Sequence, residues 1–210
     1  VTVPSFSRRL RVAERALAEA DPVMGGVIAA APRCTLAPRP FRPYEALLSS
    51  IAHQQLTGRA AQTIVDRVKA RLGGGRWPSP ERVQRARLPS LRACGLSRAK
   101  ALAFKDVAAK TLDGTVPAAR ALRAMDDEAI IARLTAVRGI GRWSVEMLLM
   151  FQLGRLDVLP VDDYGVRKGF TRAYGHAALV SPRALRDWGE RWRPHRTVAS
   201  WYLWRVLDGG

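Results

Sequence analysis

Cysteine is scarce in this chain of 210 residues: only Cys34 and Cys94 are present, far apart. Two thiols cannot build a disulfide framework or a four-cysteine metal or iron–sulfur site. That points to a reducing, cytoplasmic compartment. Histidine is nearly as rare, with His53, His176 and His195 its only occurrences and no cysteine beside them, so no metal site is expected. No run of about 18 uncharged apolar residues occurs, so no membrane span is expected. The first twenty residues have no apolar run followed by a cleavage site, so no secretory signal is expected either. Acid is in short supply, with 18 Asp and Glu against 35 Lys and Arg, which leaves a formal charge of +17. Lysine is also rare: Lys69, Lys100, Lys105, Lys110 and Lys168 are the only ones.

Apolar residues make up 48% of the chain. That is enough for a real core and excludes a disordered basic tail. The length suits one large domain or two small ones. The excess of cations points to a polyanion, nucleic acid above all. Genome composition can favour Arg over Lys, but it does not explain the shortage of acids. No block of five like charges occurs, so the basic groups belong to a folded surface and not to a disordered arm.

No segment alternates as a strand should, and the class is all-α. Pro43 suits the first position of a helix carrying Leu47, Leu48 and Ile51. Thr57 can cap the next, with Gly73 as its stop. Ser79-Pro80 opens a short helix. Ser97 caps one running to about Thr111, which Asp113-Gly114 ends. Asp126 or Asp127 starts another, and an apolar helix follows Gly141. One more begins at Asp162. Ser181-Pro182 opens a helix broken at Pro194, and the last runs through WYLWRVL. The Pro-rich stretch near residues 35–43 is the best candidate linker, and the first ten residues are candidates for disorder.

The most informative stretch is residues 134–168, LTAVRGIGRWSVEMLLMFQLGRLDVLPVDDYGVRK. Gly139 and Gly141 flank Ile140. Glycines there permit a tight turn and a close backbone approach. The amides of a following helix start can hold a phosphate oxygen. Alone, this pattern also fits a plain helix–Gly–helix connection. Likewise, the Asp162-Asp163 pair further on fits ordinary helix capping.

The wider pattern resembles the helix-hairpin-helix, Gly-Pro-rich loop and catalytic-Asp (HhH-GPD) superfamily of base-excision DNA glycosylases. Within it the chain is most similar to the 3-methyladenine DNA glycosylase II group. The shared features are the Gly-Ile-Gly hairpin with Trp143 after it, then Gly-Arg-x-Asp-Val-x-Pro-x-Asp-Asp. FRPYEALLSSIAHQQLTGRAAQTI, LRACGLSRAKALAF and WGERWRPHRTVASWYLW add further likeness, over about residues 20–207 in all. Larger members carry an N-terminal β-rich domain; about forty residues precede PYEALLSSI, so the chain resembles the compact members. The resemblance implies two helical lobes with the active cleft between them: residues 1–42 and 160–210 in one, 43–159 in the other.

It also implies a set of roles. Asp163 matches the catalytic carboxylate, with capping left to Asp162. Cleaving an N-glycosidic bond builds positive charge on the sugar, which a carboxylate beside C1′ stabilises. Trp143, Tyr164 and Trp204 match pocket aromatics for a flipped base, and an indole face attracts a cationic alkylpurine. Met147 stands where relatives have a further aromatic. Helical spacing assigns Trp188 and Trp201 to packing. Gly139, Ile140, Gly141 and Arg142 form the DNA-binding hairpin, with no cofactor except a monovalent cation its backbone carbonyls can hold. His53, Gln54, Gln55 and Leu56 lie in the turn that fills the gap behind a flipped base, with Gln55 or Leu56 as the plug. Trp143 replaces the lysine of strand-cutting relatives, which implies a monofunctional enzyme that uses water. The implied partner is duplex DNA containing alkylated bases, handled by a monomer in a bacterial, nucleoid-associated setting. A non-catalytic helix-hairpin-helix DNA-binding module and a glycosylase for other damaged bases are the alternatives.

Overall fold

The computed structural model describes residues 5–208, and every regular element among them is helical. No helix among them is long and apolar enough to cross a membrane. The first helix, α1 (Phe6–Ala20), begins inside the stretch expected to be disordered. Ser5 caps it by accepting from the Arg8 amide, and Leu10, Ala13 and Leu17 bury one stripe of it. Residues 1–4 of that expectation lie outside the described part. Asp21 then ends α1 and caps α2 (Pro22–Ala30).

After an irregular stretch come α3 (Pro43–His53), α4 (Gly58–Gly73), α5 (Pro80–Arg85), α6 (Leu88–Arg92) and α7 (Arg98–Leu112). Next are α8 (Ala119–Ala124), α9 (Asp127–Thr135) and α10 (Arg142–Leu148), the last running into a π-helical turn, Leu149–Leu153. The chain closes with α11 (Tyr164–Ala173), α12 (Pro182–Gly189), a 3₁₀ turn and α13 (Arg196–Arg205). Thr57, Ser79, Ser97, Asp126 and Ser181 are the N-caps of their helices. The stop of α4 falls at Gly74, which adopts the left-handed conformation one residue after Gly73. One capping assignment is corrected: the cap of α11 is Asp163, not Asp162, because Asp163 Oδ1 accepts from the Val166 amide.

The chain divides into two compact units, residues 1–39 with 146–210, and residues 40–145. Residues 146–159, which the sequence groups with the central segment, fall in the unit of the termini. In that unit the core gathers Leu10, Leu17, Met24, Phe170, Trp192 and Tyr202, among others.

Asp21 is its buried polar centre, 3% exposed. Its Oδ1 accepts from the Val23 and Met24 amides; its Oδ2 accepts from Tyr174, Trp192 and, at 3.4 Å, Trp188. Burial pushes its pKa up, but the donors, Tyr174 first, outweigh burial and hold it below the ordinary aspartate value. A depressed folded pKa means the stabilisation is fully present above the unfolded value, about 4, and is lost as pH falls through the folded one. Asp21→Asn would set an amide NH₂ against three donors, so we expect urea denaturation to show a loss of about 2–4 kcal/mol at neutral pH. The deficit should shrink in acid. Equal stability of the two proteins at pH 7 would refute the role.

The unit of residues 40–145 is organised around α7, where three of the five lysines sit. Lys100 Nζ donates to the carbonyls of Ala52 and Gln54 at the end of α3. Lys105 donates to Val83, Gln84 and Ala86 at the end of α5. Lys110 donates to Ala136 at the end of α9. A helix C-terminus presents orphan carbonyls and negative dipole charge. A flexible ammonium with three donors can gather several of them. These lysines are internal caps, and that is a structural reason for Lys in an Arg-rich chain.

Candidate active site

In the 40–145 unit, α7 also holds the two loops expected to meet DNA. The hairpin turn places Gly139 at φ +80°, a conformation that disfavours side chains. An added Cβ there would lie 3.3 Å from Ala103 of α7. Gly141 has open space around it and no positive φ, so only the first glycine is required by the turn. Ile140 is 4% exposed and anchors the turn in the core. Asp106 of α7 accepts from the Arg138 amide at 2.7 Å. Arg142 opens α10 and forks onto Glu128 of α9.

The Gln turn joins this assembly. Gln54 is half-buried, and its Nε2 donates to the Gly139 carbonyl at 2.7 Å, tying the turn to the hairpin. Gln55 and Leu56 are exposed beside it. Gln55 has φ +55°, the only positive φ at a non-glycine residue among those described. Such a conformation costs about 1 kcal/mol and is commonest at functional positions. His53 is exposed, its Nδ1 2.8 Å from the Ser49 carbonyl. The hairpin carbonyls of Val137 and Gly139 accept from Ile140 N and Gln54 Nε2. Each keeps a second lone pair.

In the other unit, the carboxylate is built by α11 and α13. The loop leading to Asp163 is clamped onto α13. Arg193 and Arg196 both bind Asp157, at 2.7 Å each. Thr197 Oγ1 donates to the Arg155 carbonyl and accepts from the Val158 amide. Asp163 thus arrives at the N-terminus of α11, where the helix dipole favours negative charge. Its Oδ1 accepts from the Val166 amide at 2.7 Å and from Trp204 Nε1 at 2.9 Å. One aspartate therefore both caps the helix and carries the candidate chemistry.

Trp204 reaches that oxygen because Gly165 leaves room. A Cβ on Gly165 would lie 2.9 Å from Trp204 Cδ1 and 3.1 Å from Asp163 Oδ1. The indole stacks on Phe151 with centroids 5.9 Å apart and planes at 24°. Phe151 escapes a reading by sequence alone. It lies in the π-helical turn, an element that concentrates at functional sites, one turn beyond Met147. Met147 itself is half-buried. Tyr164 is 62% exposed, with Lys168 Nζ 6.0 Å from its ring centre. Trp143 is exposed on α10, in the 40–145 stretch. Trp201 is buried, and Trp188 packs against Phe170 and Tyr174, as expected of core residues.

The geometry thus offers a fixed carboxylate, a stacked aromatic wall bonded to it, and elsewhere a glycine hairpin linked to an exposed polar turn. The chain is similar to known proteins in sequence and fold. The family described as HhH-GPD superfamily base excision DNA repair protein matches residues 48–194. DNA-3-methyladenine glycosylase 1 of Schizosaccharomyces pombe is 38% identical over 164 residues, 78% of this chain and 72% of that protein. The structure of the S. pombe 3-methyladenine DNA glycosylase in complex with abasic DNA superposes with a TM-score of 0.80 at 34% identity, covering 92% of this chain and 95% of that one. The DNA-3-methyladenine glycosidase of Bacillus halodurans gives 0.84 at 34% identity, covering 94% and 89%.

Proposed function

The chain belongs to the HhH-GPD superfamily of base excision DNA repair proteins, and from that premise we propose that it is a monofunctional glycosylase for alkylated bases in duplex DNA. It hydrolyses the N-glycosidic bond of 3-methyladenine- and 7-methylguanine-type lesions and leaves an abasic site. The observation that carries this reading is the contact of Asp163 with the wall of stacked rings, Trp204 on Phe151. A binding module would need neither.

The base flips out of the duplex and its cationic ring is attracted to the electron-rich faces. Trp204, Phe151, Tyr164 and Met147 receive it, and Trp143 keeps the base-contact role that the resemblance gives it. As the bond to C1′ lengthens, positive charge grows on the sugar and the Asp163 carboxylate stabilises it. Water supplies the new C1′–O bond and gives up a proton to the Asp163 carboxylate and on to solvent, and the base leaves with the bonding electrons. An alkylated purine is already positive, so it departs as a neutral base. Gly139, Gly141 and Arg142 hold the strand, His53 contacts the groove, and Gln55 or Leu56 fills the vacated stack. The enzyme acts as a monomer.

The test is chromatography of free bases released from dimethyl sulfate-treated duplex DNA. We expect 3-methyladenine and 7-methylguanine to appear, with strand breaks only after alkali. Breaks without alkali would mean a lyase, since an amine would then have replaced water. Tight binding to abasic DNA without any release would leave only a binding module.

A further inference from the structure

The 40–145 unit holds a cavity of about 530 Å³ lined by Arg42, Glu45, Lys69, Arg76, Trp77 and the glycines at the end of α4. That volume lies within the usual range of small-ligand sites, about 300–1,000 Å³. It sits where α3 begins and α4 ends. The His53–Thr57 turn lies at the other ends of the same two helices, about 16 Å away along α3. The cavity is therefore separate from the loops assigned to the lesion.

Its charge is unbalanced. Arg42 pairs with Glu45 at 3.3 Å. Lys69 and Arg76 have no acidic partner among the described residues. Three cations and one carboxylate therefore face one space. Lys69 Nζ is held 5.2 Å from the centre of the Trp77 ring, and Trp77 in turn packs against Phe104 with centroids 6.5 Å apart. The backbone acts in both senses. The C-terminal end of α4 borders this space with negative dipole charge, since the Gly74 and Gly75 amides both go to the single Lys69 carbonyl, and the side-chain cations have to outweigh it. The start of α3 has no side-chain cap, and since Pro43 carries no N–H, the Tyr44 and Glu45 amides are what that end can offer an anion.

We propose that this cavity binds a nucleotide through its phosphate, held by Arg42, Lys69 and Arg76, with the base against Trp77. Guanidinium and ammonium groups bind phosphate oxygens through charge-assisted hydrogen bonds. A lone phosphate would fill only part of the space; a nucleotide suits both the volume and the indole. The nucleotide can be free or part of a DNA strand, and the proposal stands apart from the base-release reading.

The six tryptophans give six indole N–H resonances in ¹⁵N-labelled protein, and Trp77→Phe identifies the one that matters. Titration with dAMP should move it saturably, and deoxyadenosine should bind at least about tenfold more weakly. Arg76→Ser and Lys69→Gln should each weaken dAMP about five- to tenfold while leaving base release within about twofold of wild type. Movement with a lesion-free duplex but not with dAMP would assign the nucleotide to a DNA strand. No movement with either, equal response to deoxyadenosine, or full binding by both variants would overturn the proposal.

Discussion

Asp163→Asn is expected to lower single-turnover base release from methylated duplex DNA by about 10³-fold or more, a loss of about 4 kcal/mol of transition-state stabilisation. The fold should survive it. The atom that caps α11 and accepts from Trp204 is Oδ1, and an asparagine carbonyl oxygen can keep both bonds. Asn is also as good an N-cap as Asp. What disappears is the negative charge, which the N-terminus of α11 favours modestly and which the transition state needs once the sugar becomes positive. Affinity for abasic duplex should therefore stay within a few fold, and the thermal midpoint should barely move. Retained release would remove Asp163 from the chemistry. Lost release together with lost folding would reduce it to a cap.

How far the sequence reveals this site follows from the range of each interaction. Caps are readable because a Ser, Thr or Asp oxygen meets an amide only two or three residues on, so Thr57, Ser97 and Ser181 could be assigned without tertiary knowledge. The Asp162-Asp163 pair defeats that logic, since both residues are competent caps. The folded chain resolves the pair: Asp163 Oδ1 takes the Val166 amide, and the same atom meets Trp204, 41 positions away. Phe151 is hidden for a related reason. The apolar run after Gly141 reads as one helix, and nothing in its composition announces a π-helical turn or which ring will lie on Trp204. The α7 lysines and Asp21 are similarly silent: their partners are carbonyls and indoles brought close only by folding. The hairpin lies between these cases. Its glycines are visible in sequence, but only the φ values separate Gly139, which the turn requires, from Gly141, which it does not.

The second large effect concerns two glycines on one face of α11, one turn apart. A Cβ on Gly169 would run into the Leu203 carbonyl oxygen and lie 2.7 Å from its carbon. Those are backbone atoms of α13, so no side-chain rotation relieves the clash. The helices must separate, and overpacking of that kind costs about 3 kcal/mol or more. Gly169→Ala should therefore lower the urea midpoint sharply, and activity should fall with the folded fraction. Gly165 faces a different neighbour. Its Cβ would meet the side chains of Trp204 and Asp163, and an indole can swing aside. Gly165→Ala should hold stability within about 1 kcal/mol of wild type. Displacing the ring and carboxylate by even about 1 Å should slow base release about 10²-fold. The pair thus separates packing from chemistry along a single helix: one methyl group parts α11 from α13, the other shifts the ring that touches the carboxylate. Full activity in Gly165→Ala would mean that the indole does not set the position of Asp163. Unchanged stability in Gly169→Ala would mean that α11 and α13 do not meet backbone to backbone at Gly169.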